Sequence, residues 1–361
     1  MVSSEAKRLE ALDALRGLAA IGVAIFWHYQ HFKPESYPYE TWAYWFYHHG
    51  YLGVNFFFVL SGFVFSYVYG EKIISRTIGI KRFIVLRLSR LYPVFLITTG
   101  VVAILQWARK SMGYEYFVYP NNDIYHLLLN FFFLQAGWFE KGLSFNAPSW
   151  SIAMECIAYL VFFGTLYYFP KHRFLIYYLL ILLGLSMQKT QASLPFFNQG
   201  TSQVLIAFFI GAFTYKINDY LNKGNKYFLY IIISISFFLS VAASLLGHEF
   251  FGETFIDVYV ILLFPSLILA VLNFKMLKKL TSLRPFTYLG DISYSIYLWH
   301  FPVQLILISL YELGCIPFSA SSHKWFLMYF ALVFMAGSIS YRFETKIRQR
   351  IRNRFNFVER T

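Results

Sequence analysis

The chain is 361 residues long, 58% hydrophobic and 22% aromatic, with only 14% charged residues and a formal net charge of +13. Soluble domains carry about a quarter of their residues as charges, so this composition excludes an ordinary water-soluble domain and points to a membrane protein. Two cysteines, Cys156 and Cys315, stand far apart without metal-type spacing, which argues against both a disulfide framework and a metal site.

Apolar runs of roughly 17 to 25 residues, the length that crosses a bilayer core, recur from end to end. The start, MVSSEAKRLEALDALRG, is polar and no small-residue cleavage site follows it, so the first apolar run is expected to be a retained span. Spans are predicted near 15–32, 50–69, 91–108, 150–169, 174–188, 202–217, 227–246, 258–274, 287–312 and 325–341. The polar gaps between them are of ordinary loop size, about 10 to 20 residues. The expected fold is an all-α polytopic membrane helix bundle of about ten transmembrane helices, with one domain over 1–345 and a basic tail over 346–361. No internal repeat and no inverted pair of broken spans of the transporter kind stands out.

Segment Ile124–Trp138 decides the topology. If it dips in and returns on the outer side, both termini are cytoplasmic, and 25 of the 31 Lys and Arg face inward against 6 outward. If it crosses fully, the split becomes 12 inside and 19 outside. The re-entrant arrangement follows the positive-inside rule. The basic excess is then that bias plus attraction to anionic lipid, and no nucleic-acid partner is expected.

The first span, LDALRGLAAIGVAIFWHYQHF, carries Asp13, Arg16, His28 and His31. Ionisable residues inside a span cost roughly 2.5 to 3.5 kcal/mol each on insertion scales, so they mark a functional site by default. Asp13 and Arg16 share one helical face, while His28 lies about 18 Å of helix beyond Arg16. The outer loop KPESYPYETWAYWFYHH (33–49) reads either as an interfacial aromatic belt or as a stacking surface for sugar rings. In the inner loop 70–90, Arg87 and Arg90 share a face, Lys81 and Arg82 precede them, and Pro93 marks a bend. These cations are either snorkelling anchors or a cleft for a polyanionic ligand, since Arg forks match phosphate oxygens. Glu155 enters the fourth span about two turns after Ser149 and must be protonated or paired there. Near the end, LGDISYSIYLWHFP places His300 just before Pro302, and that proline frees a backbone carbonyl which a polar neighbour or water must satisfy.

Taken in order, LDALRG…H, GVNFFFVLSGF, RLSRLYP, SWSIAME and YSIYLWHFP resemble the acyltransferase-3 family of membrane O-acyltransferases, from about residue 10 to 345. The resemblance implies transfer of an acyl group, acetyl above all, from cytosolic acyl-coenzyme A to a hydroxyl of a surface carbohydrate or lipid-linked saccharide. It further implies a bacterial inner-membrane location. Carried over, Arg16 and His28 are the catalytic pair, Arg82, Arg87 and Arg90 are donor-phosphate residues, and Glu155 and His300 are further site residues. No metal is expected, and no appended hydrolase-like domain. The family usually sets ten residues between that Arg and His; here there are eleven. A π-bulge would absorb the extra residue, and otherwise His31 takes the role; F-W-H at 26–28 matches the family's aromatic-before-His pattern and favours His28. The rival function is a polytopic exporter or flippase of a glycan precursor with His and Glu as a proton relay.

Overall fold

A computed structural model describes residues 8–137, 139–191, 194–195, 197–224, 226–251 and 255–354. Lys7, Trp138, Arg360 and the end of the expected tail lie outside the described residues. In chain order the helices are α1 (Glu10–Ile21), α2 (Glu40–His49), α3 (Leu52–Ile74), α4 (Ile80–Ser111), α5 (Ile124–Phe131), α6 (Trp150–Tyr168) and α7 (Arg173–Lys189). There follow α8 (Gln199–Lys223), α9 (Lys226–Phe251), α10 (Phe255–Val258), α11 (Phe264–Asn273), α12 (Lys275–Thr281), α13 (Arg284–Glu312) and α14 (His323–Arg354). Among the described residues the only β pairing is one isolated bridge between Leu194 and Phe197. The all-helical expectation therefore holds.

Among the described residues, eight helical segments are long and apolar enough by themselves to cross a membrane. The other two expected spans coincide with α7, 17 residues long, and with α9. Two boundaries differ from the sequence reading. Residues 80–90 are not loop: α4 runs without a break from Ile80 through Pro93 to Ser111. Likewise α14 continues past 341 to Arg354, because KIRQRIRNR is a good helix former that needs no apolar face.

Two compact units emerge from the contacts. One holds Met1–Ala19, Leu52–Ile78 and Ile157–Gly290, and the other Ala20–Tyr51, Gly79–Cys156 and Asp291–Thr361. In the first unit, helices meet through small residues. A Cβ on Gly62 would stand 1.8 Å from the Phe208 carbonyl oxygen, and one on Gly211 would stand 2.0 Å from that of Val59. Only glycine permits α3 and α8 to touch backbone to backbone, the close approach that dispersion and lipid-phase packing reward. Gly17 and Gly290 serve α1 and the start of α13 in the same way, with a Cβ on Gly290 falling 2.2 Å from the Asp13 carbonyl.

The second unit centres on Val102, Phe117, Phe145, Phe301 and Leu305, all buried. Its segment 123–144 leaves and returns at one place, because the Asn122 side-chain oxygen accepts the Phe145 N–H at 2.7 Å. Within that excursion Asp123 caps α5 by accepting from the His126 N–H, a bond that also holds the Asp123 carboxyl below its ordinary range. Buried Arg109 at the end of α4 grips Glu312 at the end of α13, with Ser309 and the Glu115 carbonyl as further acceptors at 3.2 and 3.1 Å. Pro302 sits inside α13 and supplies no N–H to the Leu298 carbonyl four residues back. The buried Asn146 side chain donates to that carbonyl instead, at 3.0 Å.

Removing this donor is expected to destabilise the protein by about 1 to 3 kcal/mol, the cost of an unsatisfied buried group. Thermal unfolding of Asn146→Ala in detergent measures it. In a Pro302→Ala background the helix regains its own donor to Leu298, so the Asn146→Ala penalty should shrink.

Candidate active site

After α1 the first span changes winding twice. Gly22–Phe26 form a π turn, and Trp27–Phe32 form a 3-10 turn ended by Lys33 in the left-handed region. The π turn falls between Arg16 and His28 and takes up one extra residue, as the eleven-residue interval requires. The 3-10 turn matters as much. At 100° per residue His28 and His31 would diverge by about 60°, whereas three residues per turn eclipse them.

The result is a stack of three imidazoles. His28 lies 5.0 Å from His31 between ring centroids, with 16° between planes, and 4.7 Å from His300, with 6°. Phe301 and Tyr119 close the His31 side edge-on. The rings meet face to face rather than nitrogen to nitrogen. Among the described residues no group of three or more His, Cys, Asp or Glu is arranged to hold a metal ion.

Hydrogen bonds assign the ring nitrogens different work. His300 Nδ1 faces the Tyr297 carbonyl at 2.6 Å and must donate to it, so buried Nε2 carries the lone pair and has no partner among the described residues. His31 is engaged on both sides: Nδ1 meets Gln304 Oε1 at 3.0 Å, and Nε2 meets the Tyr119 hydroxyl at 3.3 Å. Burial pushes that hydroxyl up to about 12, so near neutrality it remains a phenol that donates to Nε2. His28 and His31 are partly exposed, His300 is buried, and the buried His28 Nδ1 has no partner among the described residues. Of the two rings that keep an unpartnered nitrogen, His28 and His300, only His28 is partly exposed.

The backbone under the stack is tied by side chains. Gln304 Nε2 donates to the His28 carbonyl at 2.8 Å and contacts the Tyr329 hydroxyl at 3.2 Å. Tyr329 in turn donates to the Ala24 carbonyl, inside the π turn, at 2.6 Å. The carbonyls of a π or 3-10 turn lie off the regular ladder, and buried ones need such partners.

The other expected residues divide. Arg16 belongs to the first unit, where it pairs with Asp13 at 2.6 Å, and Asp13 also accepts from Arg8 at 2.7 Å. Glu155 is half-buried on α6, within electrostatic reach of Tyr294 and Tyr297. Tyr297 donates to the Pro148 carbonyl at 2.6 Å and meets Ser151 at 2.9 Å. Arg90 stands near Glu344 and Arg348 of α14. Glu344, 4% exposed, is 3.7 Å from Arg348, so one buried carboxylate sits among several cations.

Tyr119, Gln304, Tyr329, Asn146 and Glu344 escaped the sequence reading. None of them belongs to the motifs that stand out in the sequence. Glu344 could have been found by the rule that singled out Glu155, a carboxylate entering an apolar helix.

Residues 9–345 match the family model described as an acyltransferase domain, of the acyltransferase-3 kind. Over 95% of its length the chain is 26% identical to peptidoglycan O-acetyltransferase OatA of Listeria monocytogenes, covering 56% of that protein. Over 97% of its length it is 28% identical to O-acetyltransferase OatA of Staphylococcus aureus, covering 59% of it. The chain thus spans less than two thirds of these relatives. A protein from the picA locus of Rhizobium radiobacter is 27% identical over 45% of the chain, a stretch that covers 84% of that protein. No solved structure matches.

Gln304→Leu is expected to lower stability by about 1 to 3 kcal/mol, since it leaves the His28 carbonyl unsatisfied, while Tyr119→Phe costs about 0.5 to 1.5 kcal/mol. Unfolding midpoints of the two variants, compared with the parent, provide the check.

Proposed function

Because the chain belongs to the acyltransferase-3 family, we propose that it is a membrane O-acyltransferase that moves an acyl group, acetyl above all, from acyl-coenzyme A to a hydroxyl of a surface glycan or lipid-linked saccharide. The observation that carries this reading is the histidine stack, in which, of the two rings that keep an unpartnered nitrogen, only His28 is partly exposed. The neutral His28 ring takes the proton of the acceptor hydroxyl as its oxygen attacks the thioester carbonyl. The carbon–sulfur bond then breaks, and the coenzyme A thiolate leaves with the proton that His28 returns. His31 and His300 position that ring, one through Gln304 and Tyr119, the other through the Tyr297 carbonyl.

The donor's phosphates suit the arginines gathered where α4 meets α14. Arg87 and Arg90 share one face of α4, and Arg348 adds to them beside Glu344. The acceptor suits the aromatic surface of α2, where Trp42, Tyr44, Trp45 and Phe46 are exposed. The names of the OatA relatives support a glycan acceptor. Ten spans with both termini cytoplasmic remain the preferred topology, in the bacterial inner membrane. The 25-to-6 division of cations supports it, as does the closure of segment 123–144 by Asn122 and Phe145.

His28→Ala should lower transfer from labelled acetyl-coenzyme A to a glycan extract by about 10²- to 10⁴-fold with donor binding retained, and His31→Ala by much less. The reverse ranking would make His31 the base. Full transfer in both variants, or no thioester consumption by the parent protein, would return the glycan exporter. Arg87→Ala or Arg90→Ala should weaken acyl-coenzyme A binding by about 1.5 to 3 kcal/mol, and that loss should shrink with an acyl-pantetheine donor.

A further inference from the structure

The cations at the start of α4 form one cluster in sequence but two on the helix. At 100° per residue, Lys81 and Arg82 lie within about 60° of Val85, whereas Arg87 and Arg90 lie about 200° and 140° around from it. The Val85 face has its own feature, a groove of about 690 Å³. Val85, Leu88 and Tyr92 of α4, Phe132 after α5, and Ile347 and Ile351 of α14 line it almost wholly with apolar atoms. Its volume is that of a ligand cleft, roughly 300 to 1,000 Å³. No acidic side chain lines it.

Lys81, Val85, Leu88 and Tyr92 follow one another at four, three and four residues, and Ile347, Ile351 and Arg354 at four and three, so each cation continues a groove-lining stripe. Lys81, Arg82 and Arg354 are all exposed. They stand at one end of the groove, because both Val85 near the start of α4 and Ile351 near the end of α14 line it. An open apolar groove lined by α4 and α14, with three exposed cations beyond one end, is complementary to a molecule having a hydrocarbon chain and an anionic head.

We propose that this groove is a binding site for one anionic phospholipid, its acyl chain against Leu88, Tyr92 and Phe132 and its phosphate against Lys81, Arg82 and Arg354. The site is separate from Arg87, which lies about 160° around α4 from Val85. Arg82 thereby joins the lipid mouth rather than the coenzyme A contacts.

Native mass spectrometry of the full-length protein tests this with phosphatidylglycerol and phosphatidylcholine of identical chains. The parent protein should retain one phosphatidylglycerol with a roughly tenfold preference. The triple variant Lys81→Gln, Arg82→Gln, Arg354→Gln should bind the two lipids equally, and Leu88→Trp, which fills the channel, should weaken retention of both. Equal binding by the parent, or a preference that survives the triple variant, would overturn the proposal. Competition by glycerophosphoglycerol as effective as by the whole lipid would reduce the site to a free-anion site and also overturn it. Displacement by acetyl-coenzyme A would hand the groove to the donor, with the same consequence.

Discussion

A backbone carbonyl buried in apolar surroundings must find a donor, and the second unit is organised by that demand. Among the described residues its helical ladder is interrupted at the π turn Gly22–Phe26, the 3-10 turn Trp27–Phe32, Pro93 in α4 and Pro302 in α13. At three of these a side chain takes a carbonyl: Tyr329 that of Ala24, Gln304 that of His28, and Asn146 that of Leu298. The donors come from three separate segments. Satisfying the ladder therefore also draws α14, α13 and the approach to α6 around the three histidines.

The same breaks explain why the histidines differ. Three residues of 3-10 winding eclipse His28 over His31, and His300, just before the Pro302 break, completes the stack on the other side. His31 is held through both nitrogens and His300 through one, while the His28 Nδ1 has no partner among the described residues. A chemical asymmetry among like residues thus follows from backbone geometry, with no exotic side chain.

Helix phase does comparable work among the cations. A loop over 70–90 would have let Lys81, Arg82, Arg87 and Arg90 converge on one ligand. As a continuous helix from Ile80, α4 turns Arg87 about 160° away from the Val85 side that lines the apolar groove. Charge clusters in sequence are additive only when the chain between them is free to fold back.

Some of this was legible without coordinates. Hydropathy runs far exceed what propensity errors can blur, so an all-helical membrane bundle follows from composition alone. The cost of charge in apolar spans made Arg16, His28, Glu155 and His300 stand out, and the eleven-residue interval left a π turn with His28 or a regular helix with His31 as the alternatives. The carbonyl freed by Pro302 was foreseeable, because proline lacks an N–H wherever it sits. Its partner was not. Asn146 is 152 residues away from Leu298, and Gln304 is 276 away from His28, and no local pattern relates residues so distant. The lengths of α4 and α14 were hidden because polar helix formers extend a helix beyond its apolar stretch without a hydropathy signal. What the sequence determined by itself was therefore the class of fold and the residues too costly to be idle, since both are written in local composition. How each of the three histidines is hydrogen-bonded, and which cations continue the stripe that lines the groove, only the tertiary structure decided, because these depend on donors and helices brought together from distant parts of the chain.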